Sequence, residues 1–266
     1  MKFNESIFLG KTKLKVGRLG IASSYGAPAT AFEEAFEQGC NYFVWNSFLK
    51  GRSKKMLEAL SNIIREGKRD RLVIAMHSYG HNALINKHYF QKSLRLLGTD
   101  YIDVMLLGYY SWQPSQRVID SALSLKEKGL ARYIGLTGHN RSLFPRLAKE
   151  NLFDVFHIRY NAVHRGAEND IFPRLHTNNR PGIVAFTATR WGQLLNPKKM
   201  PPGESPPSAE DCYRFVLSNP NIDITLTGPR NNEQMRQNLS ILETGPMNEE
   251  ELARMKRIGD YIYSKK

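Results

Sequence analysis

The sequence predicts one (β/α)8 TIM barrel over residues 1–266, with an N-terminal β-hairpin and an extra C-terminal helix. Three observations predict it. At 266 residues the chain has the usual size of one such barrel, and no linker-like composition divides it. Apolar runs alternate with helical spacing eight times; such alternation implies a parallel sheet, and eight units imply closure. The runs are nearly continuous in apolar residues, as in Tyr42-Phe43-Val44-Trp45, which suits strands covered on both faces.

In order along the chain, Phe3 to Val16 reads as a hairpin turning at Gly10-Lys11, and Leu19 to Ala22 as the first strand. The spacing then gives helix 28–38 with strand 41–45, helix 52–66 with strand 72–76, and helix 86–97 with strand 102–107. Helix 115–128 with strand 132–136, helix 141–150 with strand 154–159, and helix 167–177 with strand 183–187 follow. Helix 208–218 leads to strand 223–226, then come helix 231–242 and a last helix over 247–264. Gly39, Gly98, Gly129 and Gly182 sit just past helices, where a C-cap needs positive φ. Asn86, Asn140 and Asn231 can serve as N-caps. Residues 196–207 hold too much proline for helix or central strand. That segment follows the seventh strand, so it either covers a bound ligand or is a surface loop.

Thirty-eight Lys and Arg against 25 Asp and Glu give a net charge of +13, which favours anionic partners such as nucleotide cofactors. The basic residues are dispersed, with no basic tail and no Arg-rich block beyond Lys68-Arg69-Asp70-Arg71, so nucleic acid is not an expected partner. No apolar run is long enough to span a bilayer, and Met1 to Gly10 lacks the apolar core of a signal peptide. A cytoplasmic protein with no membrane partner is the expectation. The two cysteines, Cys40 and Cys212, show no metal-ligand spacing, and Cys40 reads as a small core residue.

Five stretches together resemble the aldo-keto reductase family. They are 9–20 (Leu-Gly-Lys-Thr-Lys-Leu-Lys-Val-Gly-Arg-Leu-Gly), 93–104 (Ser-Leu-Arg-Leu-Leu-Gly-Thr-Asp-Tyr-Ile-Asp-Val) and 128–137 (Lys-Gly-Leu-Ala-Arg-Tyr-Ile-Gly-Leu-Thr). Tyr-Asn-Ala-Val-His-Arg at 160–165 and Gly-Pro-Arg-Asn-Asn-Glu-Gln-Met-Arg-Gln-Asn at 228–238 complete the set. The resemblance implies carbonyl reduction with a nicotinamide nucleotide, NADP(H) ahead of NAD(H), on a small-molecule substrate. It implies cofactor contacts at Phe186, whose ring can stack on nicotinamide, and at Gly228, Arg230, Gln234 and Asn238 around the adenosine end. A helix N-terminus near 231 also favours an anion; the plain alternative is an ordinary loop with a capped helix.

The family's catalytic Asp, Tyr, Lys and His are not matched. The Asp-Thr-Ala-like segment is Val44-Trp45-Asn46, and the tyrosine falls at Leu49, or at Phe48 if the loop shifts. The lysine is replaced by His77 and the histidine by Gly108; the carboxamide-binding Asn becomes Gly138, followed by His139, and the Gln becomes His157. Carbonyl reduction needs a proton donor within hydrogen-bond reach of the carbonyl oxygen, and neither Leu49 nor Phe48 can donate. His77 is one substitute, since a strand-end histidine can exchange protons near neutral pH; it can equally be structural. Tyr109 and Tyr110 offer phenols one step beyond the missing histidine, or else the wall of a substrate pocket. Lys50 and Arg52 can meet an acidic substrate or simply be solvated, and His77, His139 and His157 share a rim without a nearby carboxylate or Cys. Two readings follow: an NAD(P)(H)-dependent oxidoreductase with a noncanonical active site built on His77, Tyr109 or Tyr110, or a noncatalytic nucleotide-binding or regulatory barrel.

Overall fold

A computed structural model describes residues 2–23, 25–47, 51, 53–175 and 179–265. β1 (Ile7–Phe8) and β2 (Lys15–Val16) form a small antiparallel hairpin. Eight further strands, all parallel to their neighbours, close into a barrel: β3 (Leu19–Ala22), β4 (Tyr42–Trp45), β5 (Val73–Ser78), β6 (Ile102–Tyr110), β7 (Ala131–Gly138), β8 (Val155–Arg159), β9 (Gly182–Phe186) and β10 (Ile224–Thr227). The helices outside are α1 (Ala29–Glu37), α2 (Lys54–Arg65), α3 (Ala83–Leu97), α4 (Gln116–Glu127), α5 (Leu143–Lys149), α6 (Ala167–Asp170), α7 (Ala209–Leu217), α8 (Asn232–Leu239) and α9 (Glu249–Ser264). None of the described helices is long and apolar enough to cross a membrane.

Strand alternation divides the apolar residues into two cores. Tyr42, Val73, Ala75, Val104, Val155, Val184 and Ile224 fill the lower barrel interior, while Leu9, Leu14 and Val16 of the hairpin segment plug it from below. The other faces, with Trp45, Met76, Met105, Leu107, Ile134 and Phe156 among them, pack against the helices. A plugged N-terminal end leaves the C-terminal end for a site.

A repeated polar device fixes the lower rim. Asp103, Asp154 and Asp223 each stand at or just before a strand and accept the backbone N–H of an isoleucine in the preceding strand: Ile74 (2.9 Å), Ile134 (2.9 Å) and Ile183 (2.7 Å). Each also meets a cation before that strand, respectively Arg69 at 2.9 Å, Lys126 at 2.7 Å and Arg180 at 2.6 Å. Before β4, Asn41 plays the corresponding part with an amide, its Oδ1 accepting from Gly17 N–H at 3.0 Å. Alternate strand pairs around the ring are therefore latched at the same height.

Several expectations are corrected. The helix read at 167–177 is only the single turn α6 followed by a 3-10 turn, Phe172–Arg174; the rest falls partly outside the described residues. Asn82, not Asn86, caps α3, accepting from Leu84 and Ile85 N–H, while Asn86 is buried and accepts from the Ser78 hydroxyl. Ser142 occupies the N-cap position of α5; Asn140, two residues earlier, accepts from its N–H and hydroxyl. Asn231 does cap α8. Gly98 has the left-handed φ of a C-cap, at +68°, but Gly182 is instead the first residue of β9. A Cβ there would run into Leu9, so Gly182 is needed for the plug to seat. The proline-rich segment 196–207 lies against α9, where Arg254 bonds to Glu204 (2.9 Å) and to the Ser205 carbonyl (2.7 Å). None of its residues lines the cavity described next.

Candidate active site

A cavity of about 630 Å³ opens at the C-terminal mouth, a size usual for a small-molecule site. Its floor comes from residues one step beyond the lower core on the same strand faces: Ala22, Val44, His77, Leu106, Thr137, His157 and Leu226. Its wall adds Tyr25, Tyr79, Tyr109, His139, Phe186, Trp191 and Tyr213. No Asp, Glu, Lys or Arg is among the described lining residues, so hydroxyls, Asn46 and three imidazoles supply the polarity. Leu49, Phe48, Lys50 and Arg52 lie outside the described residues. Among those described, no three His, Cys, Asp or Glu side chains converge to hold a metal ion.

His77 reaches the cavity floor from β5 and is buried, and its Nε2 has no hydrogen-bond partner among the described residues. The imidazole occupies the space above Gly108 on β6: a Cβ at 108 would overlap Nε2 and Cδ2 and lie 2.9 Å from the Ser78 carbonyl. β5 thus supplies an imidazole to the space beside β6 that Gly108 leaves open. Burial pushes the His77 pKa down to about 3, so the ring is neutral at physiological pH. His157 is also held down to about 3, by burial first and then by His77. Its Nε2 lies 2.8 Å from the Tyr42 hydroxyl, which ties it into the barrel floor.

The two adjacent tyrosines part company. The register of β6 against β7 shifts between Leu107 and Tyr110, and such a bulge re-aims side chains. Tyr109 then faces the cavity, 47% exposed, whereas Tyr110 is 2% exposed and belongs to the core between strands and helices. Tyr110 stacks on His81 at 4.3 Å and does not line the cavity. The expectation for it as a proton donor is therefore withdrawn on position. Tyr109 sits in an aromatic row: its ring is 5.1 Å from His77, 5.8 Å from Tyr79 and 5.9 Å from His139, which in turn meets Phe186 at 5.6 Å. Burial raises the Tyr109 pKa, with Tyr25 adding to it, and burial lifts Tyr79 to about 12.

At the opposite edge, Gly228 lines the cavity and lies under Tyr25; a Cβ there would overlap the Tyr25 ring. Arg230 N–H donates to Gln234 Oε1 at 3.0 Å, and Gln234 N–H to Asn231 Oδ1 at 2.8 Å, so this turn is held as the cap of α8. The Arg230 side chain makes no ion pair with a described residue and is exposed. Asn238 is 6% exposed, and its Nδ2 donates to Thr227 Oγ1 at 2.7 Å, so it braces the loop from beneath. The sequence reading missed Tyr25, Tyr79, Trp191 and Tyr213. Tyr79 had a signal, since it follows His77 by two residues and so shares its face.

A family model described as the aldo/keto reductase family matches residues 7–211. Among solved structures, the holo form of aldo-keto reductase AKR11C1 from Bacillus halodurans is similar at TM-score 0.76 and 20% identity, covering 96% of each chain. Its apo form gives TM-score 0.73 and 22% identity over 96% of this chain and 95% of that one. PA4992 of Pseudomonas aeruginosa gives 0.70 and 20% over 91% and 96%. At such identities these structures speak for the fold. No curated protein matches the chain significantly.

Proposed function

Because the chain belongs to the aldo/keto reductase family, we propose that it is a nicotinamide-nucleotide-dependent oxidoreductase whose noncanonical active site is built on Tyr109 and His77. The observation that carries the reading is their meeting in one uncharged cavity at the barrel mouth, with Phe186 on its edge. The residues fit a dinucleotide: Phe186 offers a ring face, Gly228 permits close approach, and Arg230 offers an exposed cation beside the capped start of α8. Arg230 is also the reason to prefer NADP(H) over NAD(H), since an additional phosphate can accept its charge-assisted hydrogen bonds.

The bound nucleotide supplies or accepts hydride. The chain's own part is to hold the carbonyl oxygen and provide a proton. Tyr109, whose pKa is raised, keeps its proton through neutral pH and can donate a hydrogen bond to that oxygen. No described cationic side chain of the cavity eases the release of that proton, so simple aldehydes are expected to react more slowly than with an assisted acid. His77, neutral above about pH 3, serves as a hydrogen-bonding group and not as an imidazolium acid. A rate that falls through pH 6.5 would therefore not report His77. The same lack of cavity charge favours, as a second reading, a noncatalytic barrel that binds the nucleotide for regulation.

Titration with NADPH, followed by nucleotide fluorescence, tests the first step. Arg230→Ala is expected to weaken binding by about 1–3 kcal/mol. Absence of NADPH and NADH binding at millimolar concentration defeats both readings. With binding in hand, Tyr109→Phe should abolish residual carbonyl reduction; if Tyr109→Phe and His77→Leu both leave the rate unchanged, the proposed donors are wrong. Binding with no turnover of any carbonyl tried leaves the regulatory reading.

A further inference from the structure

Next to the uncharged cavity stands a group of arginines to which the proposed chemistry gives no work. Arg159 ends β8 two residues beyond His157, beside Phe186 in the register with β9. Arg190 follows β9 and is only 8% exposed. Neither side chain makes a hydrogen bond or ion pair with another described residue. Arg141 is held by Asp170, to which its Nε donates at 2.6 Å, and its guanidinium lies across the Cα of Gly166. Arg141 and Arg190 are close enough that their charges, after burial, lower the Arg159 pKa. Three guanidiniums are thus answered by one hydrogen-bonded carboxylate, and the most buried of them by none.

A buried, unpaired charge is costly, and here the backbone adds to the cost. Thr187, Arg190 and Trp191 have φ of +62°, +52° and +53°, a conformation that side chains disfavour, and Asn161 Nδ2 holds the Thr187 carbonyl at 2.8 Å. A narrow recess lined by His139, Arg141, Arg159 and His164 adjoins the arginines. Its volume, about 10 Å³, is that of one water, so it seats a ligand oxygen and not a whole ligand. His139 lines both the recess and the main cavity, so the two adjoin at its ring.

We propose that Arg159 and Arg190, with Arg141 beside them, form an anion subsite for a carboxylate or phosphate carried by the substrate. The carbonyl of the same molecule then lies in the uncharged cavity near Tyr109; this placement rests on the functional reading above, whereas anion binding does not. Guanidinium forks suit both anions, because each accepts paired N–H bonds. The substrate class is accordingly an oxo acid or a phosphorylated carbonyl compound, and a neutral aldehyde leaves the subsite unfilled. A phosphate of the nucleotide is the competing source of the same chemistry.

Calorimetric titration of the full-length protein with malonate and with inorganic phosphate, in the absence of nucleotide, tests the subsite. Binding of either anion is expected at millimolar concentration. Arg159→Met and Arg190→Met, which keep side-chain length, should each weaken it about tenfold, roughly one charge-assisted interaction. Arg159→Lys should retain part of it. Thermal melts establish that each variant is folded; Arg159→Met, at a half-exposed site, keeps the test open should Arg190→Met unfold. NADPH affinity should stay within about twofold in Arg159→Met, less than one lost hydrogen bond would cost. The proposal is overturned if neither anion binds, or if the folded variants bind as the unmodified protein does. It is also overturned if phosphate competes with NADPH and Arg159→Met weakens NADPH instead, since the site then serves the nucleotide. Anion binding that depends on Arg159 in a protein that fails to bind NADPH supports the subsite and defeats the oxidoreductase reading alone.

Discussion

The His77 imidazole and a side chain at position 108 cannot both exist in the present arrangement, because a Cβ at 108 falls on Nε2. Gly108→Ala should therefore push the imidazole out of its place and cost about 1–3 kcal/mol, the usual penalty of overpacking. Adding His77→Leu, whose branched tip can turn aside, should recover part of that loss in urea denaturation; strict additivity would show that the two positions do not compete. Protonation gives a second handle on the same ring. His77 and His157 have folded pKa values near 3 against about 6.5 in the unfolded chain. The unfolded state then binds more protons between those values, so stability is complete above about pH 6.5 and is lost as pH falls toward 3. Each ring contributes at most about 1.4 kcal/mol per pH unit in that window. The difference in stability between pH 7 and pH 5 should shrink in His77→Leu; an unchanged difference would mean that His77 is not a buried neutral ring. The identity of position 77 was legible from the sequence, but its packing over Gly108 was not, because it depends on two strands lying side by side. The choice between Tyr109 and Tyr110 was hidden for a similar reason: a bulge is a property of the β6–β7 register, and the local pattern carries no mark of it.

Among elements, the strands owe their positions to the latches at their lower ends. Asp223 is 3% exposed; it receives Arg180 through two hydrogen bonds, at 2.6 and 2.7 Å, and the Ile183 N–H at 2.7 Å. Asp223→Ala leaves a largely buried guanidinium with only the Pro181 carbonyl, at 3.2 Å, and a backbone N–H without its carboxylate, so the expected loss is about 3–5 kcal/mol, as for breaking a buried ion pair from one side. Arg180→Met alone should cost less, because the carboxylate keeps its backbone bond. Chemical denaturation of the two variants and the double variant checks this, and equal losses for both singles would contradict the asymmetry. These latches did leave a trace in the sequence. Asp103-Val104, Asp154-Val155 and Asp223-Ile224 each place an acid before a β-branched residue at a strand start, with a cation ahead of the previous strand. The strands and long helices were legible because burial on two faces or one stripe dictates apolar periodicity. Helix starts were less so: Asn82 and Asn86 are equally good caps in composition, and packing of Asn86 beneath Ser78 decided between them.

Across the whole molecule, polar satisfaction is distributed unevenly between the two ends of the barrel. At the lower rim Asp103, Asp154 and Asp223 meet both backbone and cation partners. Among the described buried side-chain atoms without a hydrogen-bond partner, His77 Nε2, Tyr110 Oη, Asn86 Nδ2 and Asn232 Oδ1 lie on upper strand ends or on the helix starts that follow them, whereas Thr225 Oγ1 lies near the start of β10. Sequences satisfy local rules except where function opposes them, so the cluster of unsatisfied groups toward the mouth, His77 Nε2 among them, fits a functional end. This division makes a prediction that a purely structural histidine would not. An unpartnered buried polar atom carries a desolvation cost of about 1–3 kcal/mol, which an apolar group of similar size avoids. His77→Leu should therefore fold at least as stably at pH 7 as the unmodified chain, where the ring is already neutral and no charge is lost. It should at the same time reduce carbonyl turnover, since the imidazole of the cavity floor is gone. Denaturant midpoints and turnover measured on the same preparations decide the matter. If His77→Leu lowers stability by several kcal/mol, the imidazole is held by contacts that its neighbours in the cavity floor must supply, and its place there is structural.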